Sequence, residues 1–338
     1  MAGRFVIVCN SGDNSLALYE LEESGGLAHL EDMPLAETGA PDNAYPMTLS
    51  PDRSRLYVAC RGTPRAVLTY AVDAAVRSLT FLGKSALTDS MAYVATDSSG
   101  RFLLSASYSG GRISINPIGP DGVAKDPSDT LDAEPNMHCC VPIPGTDTFL
   151  AASLGSDVVL KYRLDPAGKL TLLPERARSA TGSGPRHFVF HPSMRFGYLL
   201  TEKISAVEVF GFDGDALTPE PLQRLPILPP HWRGKHWGAD IRITPDGRFL
   251  YATDRSANAI AGFAVDAETG RLEPTGITFA APWPRSVNID PDGRFLLALG
   301  EKSAFIDVFA IDPATGTLDK RLTLPTGRIP SWVEIVKG

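Results

Sequence analysis

Ile243-Thr-Pro-Asp-Gly-Arg-Phe-Leu-Tyr251 is the stretch that decides the fold. It reads as the end of one apolar strand, a tight Pro-Asp-Gly turn and the start of a second strand. The phrase recurs as Ile289-Asp-Pro-Asp-Gly-Arg-Phe-Leu-Leu297 and as Thr48-Leu-Ser-Pro-Asp-Arg-Ser-Arg-Leu-Tyr57. Weaker copies occupy residues 96–104, 141–150 and 189–198. Between them runs a second pattern, a strand followed by a short Asp/Gly turn, at residues 162–170, 263–272 and 309–318. Units starting at Pro46, Met91, His138, Pro185, Ala239, Arg285 and Pro330 are spaced 45, 47, 47, 54, 46 and 45 residues apart. Seven units of four short strands predict an all-β, seven-bladed β-propeller with four-stranded blades.

The chain ends complete this count. Residues 330–338 supply only a first strand, and residues 4–37 supply only later strands. Pairing them makes one blade from both termini and removes the sheet edges an open array would expose. No linker or low-complexity tract divides the chain, so residues 1–338 read as a single β-propeller domain.

Composition agrees with this class and excludes others. The chain has 338 residues, with Gly 31 and Pro 28, a density of turn residues suited to short strands. Lys plus Arg is 32 and Asp plus Glu is 39, giving −7, a poor charge for gripping nucleic acid. The apolar runs are strand-sized, too short to span a bilayer as helices, so no membrane partner is expected. Residues 1–15 lack the pattern of a signal peptide. Cys9, Cys60, Cys139 and Cys140 lack zinc-site spacing and read as reduced thiols. A cytoplasmic protein, monomer or weak homo-oligomer, is the expectation.

Propeller geometry selects the site. The start of each blade's first strand and the end of its second converge at one mouth of the central channel. Aligned on the turns, the first position reads Tyr45, Ala92, His138, Arg186, Ala239, Arg285 and Pro330. The second position includes Glu202, Asp254 and Arg255. Arg186 and Glu202 flank their turn symmetrically and should lie side by side in one hairpin. Imidazole and guanidinium beside a carboxylate make an acid/base and oxyanion set. The long interval of 54 places Leu228-Pro-Pro-His-Trp-Arg-Gly-Lys-His-Trp-Gly-Ala-Asp240 on the same mouth. Within it Arg233, Lys235 and His236 are ligand candidates, and Trp237 is expected to be partly structural.

These residues resemble the lactonase family of seven-bladed propellers, over essentially the whole chain. That family includes bacterial propeller-type 6-phosphogluconolactonases, lactonases for uronate-derived sugar-acid lactones, and fungal carboxymuconate-lactonizing enzymes. The most specific pieces are Gly182-Ser-Gly-Pro-Arg-His-Phe-Val-Phe-His-Pro192, residues 237–255 and Pro284-Arg-Ser-Val-Asn-Ile-Asp290. The resemblance implies catalytic roles for His138, Arg186 and Glu202. His187, Arg233, Lys235, His236, Asp254, Arg255 and Arg285 are then expected to bind substrate. The implied reaction is water-driven opening of an anionic sugar-acid δ-lactone, either 6-phosphogluconolactone or a glucaro- or galactaro-1,5-lactone. Glu202 or His138 would be the base, and no cofactor or metal is called for. A muconate cyclase working in the lactonizing direction and a non-catalytic binding propeller are the alternatives.

Overall fold

The computed structural model describes residues 3–36 and 44–337. Glu37 and Gly338, the outermost residues of the two expected terminal segments, lie outside the described residues. Among the described residues every regular element is a β-strand, and the strands form seven sheets arranged as blades. Blade I comprises Met47–Leu49, Arg55–Cys60, Ala66–Asp73 and Ser78–Ala86. Blade II starts at Met91–Thr96, blade III at Met137–Pro142 and blade IV at Pro185–Phe190. Blade V starts at Gly238–Ile243 and blade VI at Pro284–Ile289. Blade VII joins Pro330–Val336 to Arg4–Asn10, Ser15–Leu21 and Leu27–Pro34. The C-terminal strand runs antiparallel to the N-terminal one, Phe5 opposite Val336 and Cys9 opposite Trp332. The ring therefore closes through its own ends. Among the described residues no helix is long and apolar enough to cross a membrane.

The repeat phrase also explains how blades adhere. Its tyrosine is buried in the second strand and sends its hydroxyl to a glycine carbonyl of the next blade. Tyr198 donates to Gly270 at 3.1 Å and Tyr251 to Gly316 at 2.8 Å. Its phenylalanine packs on the same glycine. A Cβ at Gly270 would lie 2.3 Å from the Phe196 ring, and one at Gly316 would lie 2.2 Å from Phe249. Both glycines also hold a left-handed backbone, φ +68° and +70°, which costs a side-chain-bearing residue about 1–2 kcal/mol. Apolar clusters fill the spaces between neighbouring blades; Tyr198, Leu200 and Val207 of blade IV meet Ile241, Leu250 and Phe263 of blade V.

The inner strands share a feature that alternation does not forecast. Those of blades II to VII begin with a β-bulge, seen as a register shift that leaves one or two residues unpaired. The bulged positions are Ala92, His138, Arg186, Ala239–Asp240, Arg285 and Ser331. In blade VII the bulged residue is thus Ser331, one beyond the aligned Pro330. A bulge re-aims a side chain that the pleat would otherwise point elsewhere.

Candidate active site

Glu202 is the hub of the mouth. Its Oε2 accepts from Arg186 Nε at 3.0 Å and from Arg255 Nη2 at 2.7 Å. Both guanidiniums are almost wholly buried, whereas the carboxylate keeps some contact with solvent. Arg186 sits on its bulge opposite the end of the second strand, where Glu202 N donates to Gly184 O at 2.7 Å. Burial, then the neighbouring guanidiniums, push Arg186 and Arg255 below the ordinary arginine range, and Glu202 opposes this.

His187, next in sequence, meets protein through both nitrogens. Nδ1 donates to Asp240 Oδ1 at 2.9 Å, which fixes the neutral tautomer, and Nε2 accepts from Arg186 Nη1 at 3.3 Å. Burial, followed by Arg186, lowers its pKa from 6.5 to about 4 in spite of the carboxylate. Tyr93 and Trp332 press on the ring, at centroid distances of 5.3 and 6.1 Å. Both nitrogens of His187, expected from the sequence to bind substrate, are thus engaged with Asp240 and Arg186.

Asp240 was not among the sequence candidates, yet it organises this corner. It also accepts from Arg242 Nη1 at 2.7 Å and from the Ile241 and Val287 amides. Burial works to raise its pKa, but Arg242 and the hydrogen bonds hold it at about 2.

His138 lies beside this pair, its ring centroid 5.2 Å from that of His187 and 5.9 Å from that of Tyr108. Neither of its nitrogens bonds to another described residue, and Nδ1 is buried without a partner. Burial first, then Arg186, His187, Arg285 and Arg255, hold its pKa well below 6.5, so it is a neutral imidazole with unspent nitrogens. Arg285 repeats the Arg186 arrangement in blade VI. Its Nη1 meets Glu301 Oε1 at 3.0 Å, and 301 − 285 equals 202 − 186, so the spacing of sixteen could have revealed Glu301 from sequence.

Two candidates face elsewhere. Asp254 and Arg255 are adjacent on a strand end, and alternation turns them apart. Arg255 reaches Glu202, whereas the Asp254 carboxylate is fully buried and spent on Ser205, Ser256 and the amides of Trp237 and Ala257. Asp254 staples the 228–240 loop to blade V, with its carboxylate turned into the protein. Arg233 donates to the carbonyls of Pro230 and Trp232 within its own loop. Lys235 rests on the Trp237 ring, and half-buried His236 has no partner for Nδ1. Among the described residues no three His, Cys, Asp or Glu side chains converge to hold a metal ion.

A ring of this design with an Arg/Glu/His mouth defines a class of enzyme, and comparison with known proteins identifies it. The family described as "Lactonase, 7-bladed beta-propeller" matches residues 29–335, and the chain belongs to that family. It is 34% identical over 334 residues to a 6-phosphogluconolactonase of Serratia proteamaculans, covering 98% of this chain and 99% of the relative. A 6-phosphogluconolactonase of Pectobacterium carotovorum is 35% identical over 272 residues, 80% of each chain. Among solved structures, a putative 6-phosphogluconolactonase from Bacteroides fragilis superposes with a TM-score of 0.88 at 26% identity, covering 99% of this chain and 98% of that one. A periplasmic gluconolactonase of Pseudomonas aeruginosa gives 0.87 at 26% identity and 99% coverage of both.

Proposed function

We propose that this lactonase opens the ring of an anionic sugar-acid δ-lactone, with 6-phosphogluconolactone as the leading substrate. The relatives' names and the surplus of guanidiniums at the mouth support that choice. The observation that carries the mechanism is His138, a neutral imidazole with unspent nitrogens beside Arg186, Arg255 and Arg285.

Water attacks the carbonyl carbon as His138 takes its proton. The resulting oxyanion is met by Arg186, whose Nη2 has no acceptor among the described residues. Collapse breaks the bond to the ring oxygen, and His138 returns the proton to that oxygen. Glu202 holds Arg186 and Arg255 in register for this, so it is read here as a positioning group rather than as the base. An imidazole with a low pKa is a weak base in the empty site. A bound anion compensates the arginines and raises its proton affinity at the moment it is needed.

The experiment is lactone turnover by pH-stat or NMR on 6-phosphogluconolactone, glucaro- and galactaro-1,5-lactones and carboxymuconate. His138→Gln should lower kcat by about 10²–10⁴-fold. The parent's kcat/KM should stay level from neutral pH downward and fall only well below pH 6.5. Parent-like rates in both His138→Gln and Glu202→Gln would remove these roles. No turnover of any lactone by the parent would remove the activity itself.

A further inference from the structure

Beside the mouth, between blades V, VI and VII, lies a cleft of about 590 Å³. Two indoles form its apolar part, Trp237 and Trp283, packed edge to face with centroids 5.0 Å apart. Each carries an ammonium, Lys302 from the wall of the cleft and Lys235 from the neighbouring loop. Lys235 Nζ sits 3.6 Å from the Trp237 centroid and Lys302 Nζ 3.3 Å from that of Trp283. Neither lysine has a carboxylate within ion-pair distance among the described residues. The other cations here are already paired: Arg255 with Glu202, Arg285 with Glu301, and Arg328 with Asp13 at 2.6 Å. Among the residues that line the cleft Lys302 is the unpaired cation, and Lys235 adds a second ammonium on the Trp237 ring, on a protein whose net charge is −7.

The backbone gives independent testimony that these side chains are wanted. The residue just before an inner strand is left-handed in four blades: Asn136, Gly184, Trp283 and Ile329. Blades III and IV fill that position with Asn and Gly, which adopt it readily. Blades VI and VII use a tryptophan and a β-branched residue, both real outliers there, and both line this cleft. Such strain persists where the surroundings enforce it, and it gathers at ligand sites. Arg285 also lines the narrow cavity above Arg186 and His187, so the cleft and the reacting centre share a wall.

We propose that this cleft is the subsite for the phosphate of a phosphorylated sugar lactone, with Lys302 and Lys235 as its donors on indole seats. The inference rests on the lactonase reading and narrows it. A phosphate monoester carries about −1.5 to −2 at pH 7 and three acceptor oxygens, enough to engage both ammoniums, whereas a carboxylate carries one charge. Arg328 and Arg285, pinned by their carboxylates, form the flanks.

The test is calorimetric binding of 6-phosphogluconate and of gluconate to the parent, to Lys302→Met/Lys235→Met and to Trp283→Leu. Both lysines are exposed, so the double variant keeps the fold. The double variant should weaken 6-phosphogluconate by at least about tenfold while gluconate moves by less than twofold. Trp283→Leu, which removes one seat but no charge, should also lower the preference for the phosphorylated ligand. Equal weakening of both ligands, unchanged affinity for 6-phosphogluconate, or no binding of it by the parent would overturn the subsite. Lysine-dependent binding without turnover of any lactone would instead overturn the lactonase reading and leave the subsite standing.

Discussion

Replacing His187 with Asn should change how stability depends on pH. In the folded protein this imidazole stays neutral down to about pH 4, because burial and Arg186 oppose its charge. In the unfolded chain it titrates near 6.5. Below that value the unfolded state binds more protons, so stability is lost as pH falls. Integrating one site between these two values gives a loss of about 2 kcal/mol from pH 7.5 to pH 5, and about 3 kcal/mol below pH 4. Asp240, held at about 2, stays ionised through that window. His138 adds its own share in parent and variant alike. Asparagine retains a donor toward Asp240, so the reading is the slope rather than the absolute stability. Urea unfolding followed by tryptophan fluorescence, at half-unit steps from pH 7.5 to 5, measures it. The variant should lose about 2 kcal/mol less than the parent over that range. Equal losses would mean that His187 is not held neutral, and the account of how Arg186 is positioned would fail with it.

Gly270→Ala should cost about 2–4 kcal/mol in chemical denaturation, from a left-handed backbone together with a Cβ driven into the Phe196 ring; a loss under 1 kcal/mol would contradict the interblade contact. The four thiols are free and buried, with Cys9 and Cys139 pushed up to about 12 and Cys60 and Cys140 also well above 9. At pH 8 none should react with a disulfide reagent until denaturant is added, and rapid labelling of the native protein would place a thiol at the surface.

The ring was legible because its period is long and its turn phrase nearly literal. Three tight turns and a chain that begins and ends on partial blades sufficed to predict closure. Arg186 and Glu202 were legible for a related reason, since positions symmetric about a hairpin turn face each other. Asp240 was hidden by its bulge, which suspends the alternation used to decide which way a residue points. Asp254 misled for the opposite reason, because two neighbours at one strand end cannot both face the mouth. Trp283 and Lys302 lie outside the strands, where spacing carries no direction, and only the folded loop brings ammonium and indole together.

The bulges also bear on how such a ring can change its chemistry. A residue excluded from the ladder is freed from the alternation that aims its neighbours, so the bulge itself turns the side chain at that position. Ala92 and Ser331 occupy that position in blades II and VII, where blades III, IV and VI have His138, Arg186 and Arg285. Ser331 is tied into the ring, its hydroxyl joining the Tyr45 amide to the Cys9 carbonyl, whereas half-buried Ala92 carries no such bond, so a new donor or acid could be installed in blade II at little cost to closure.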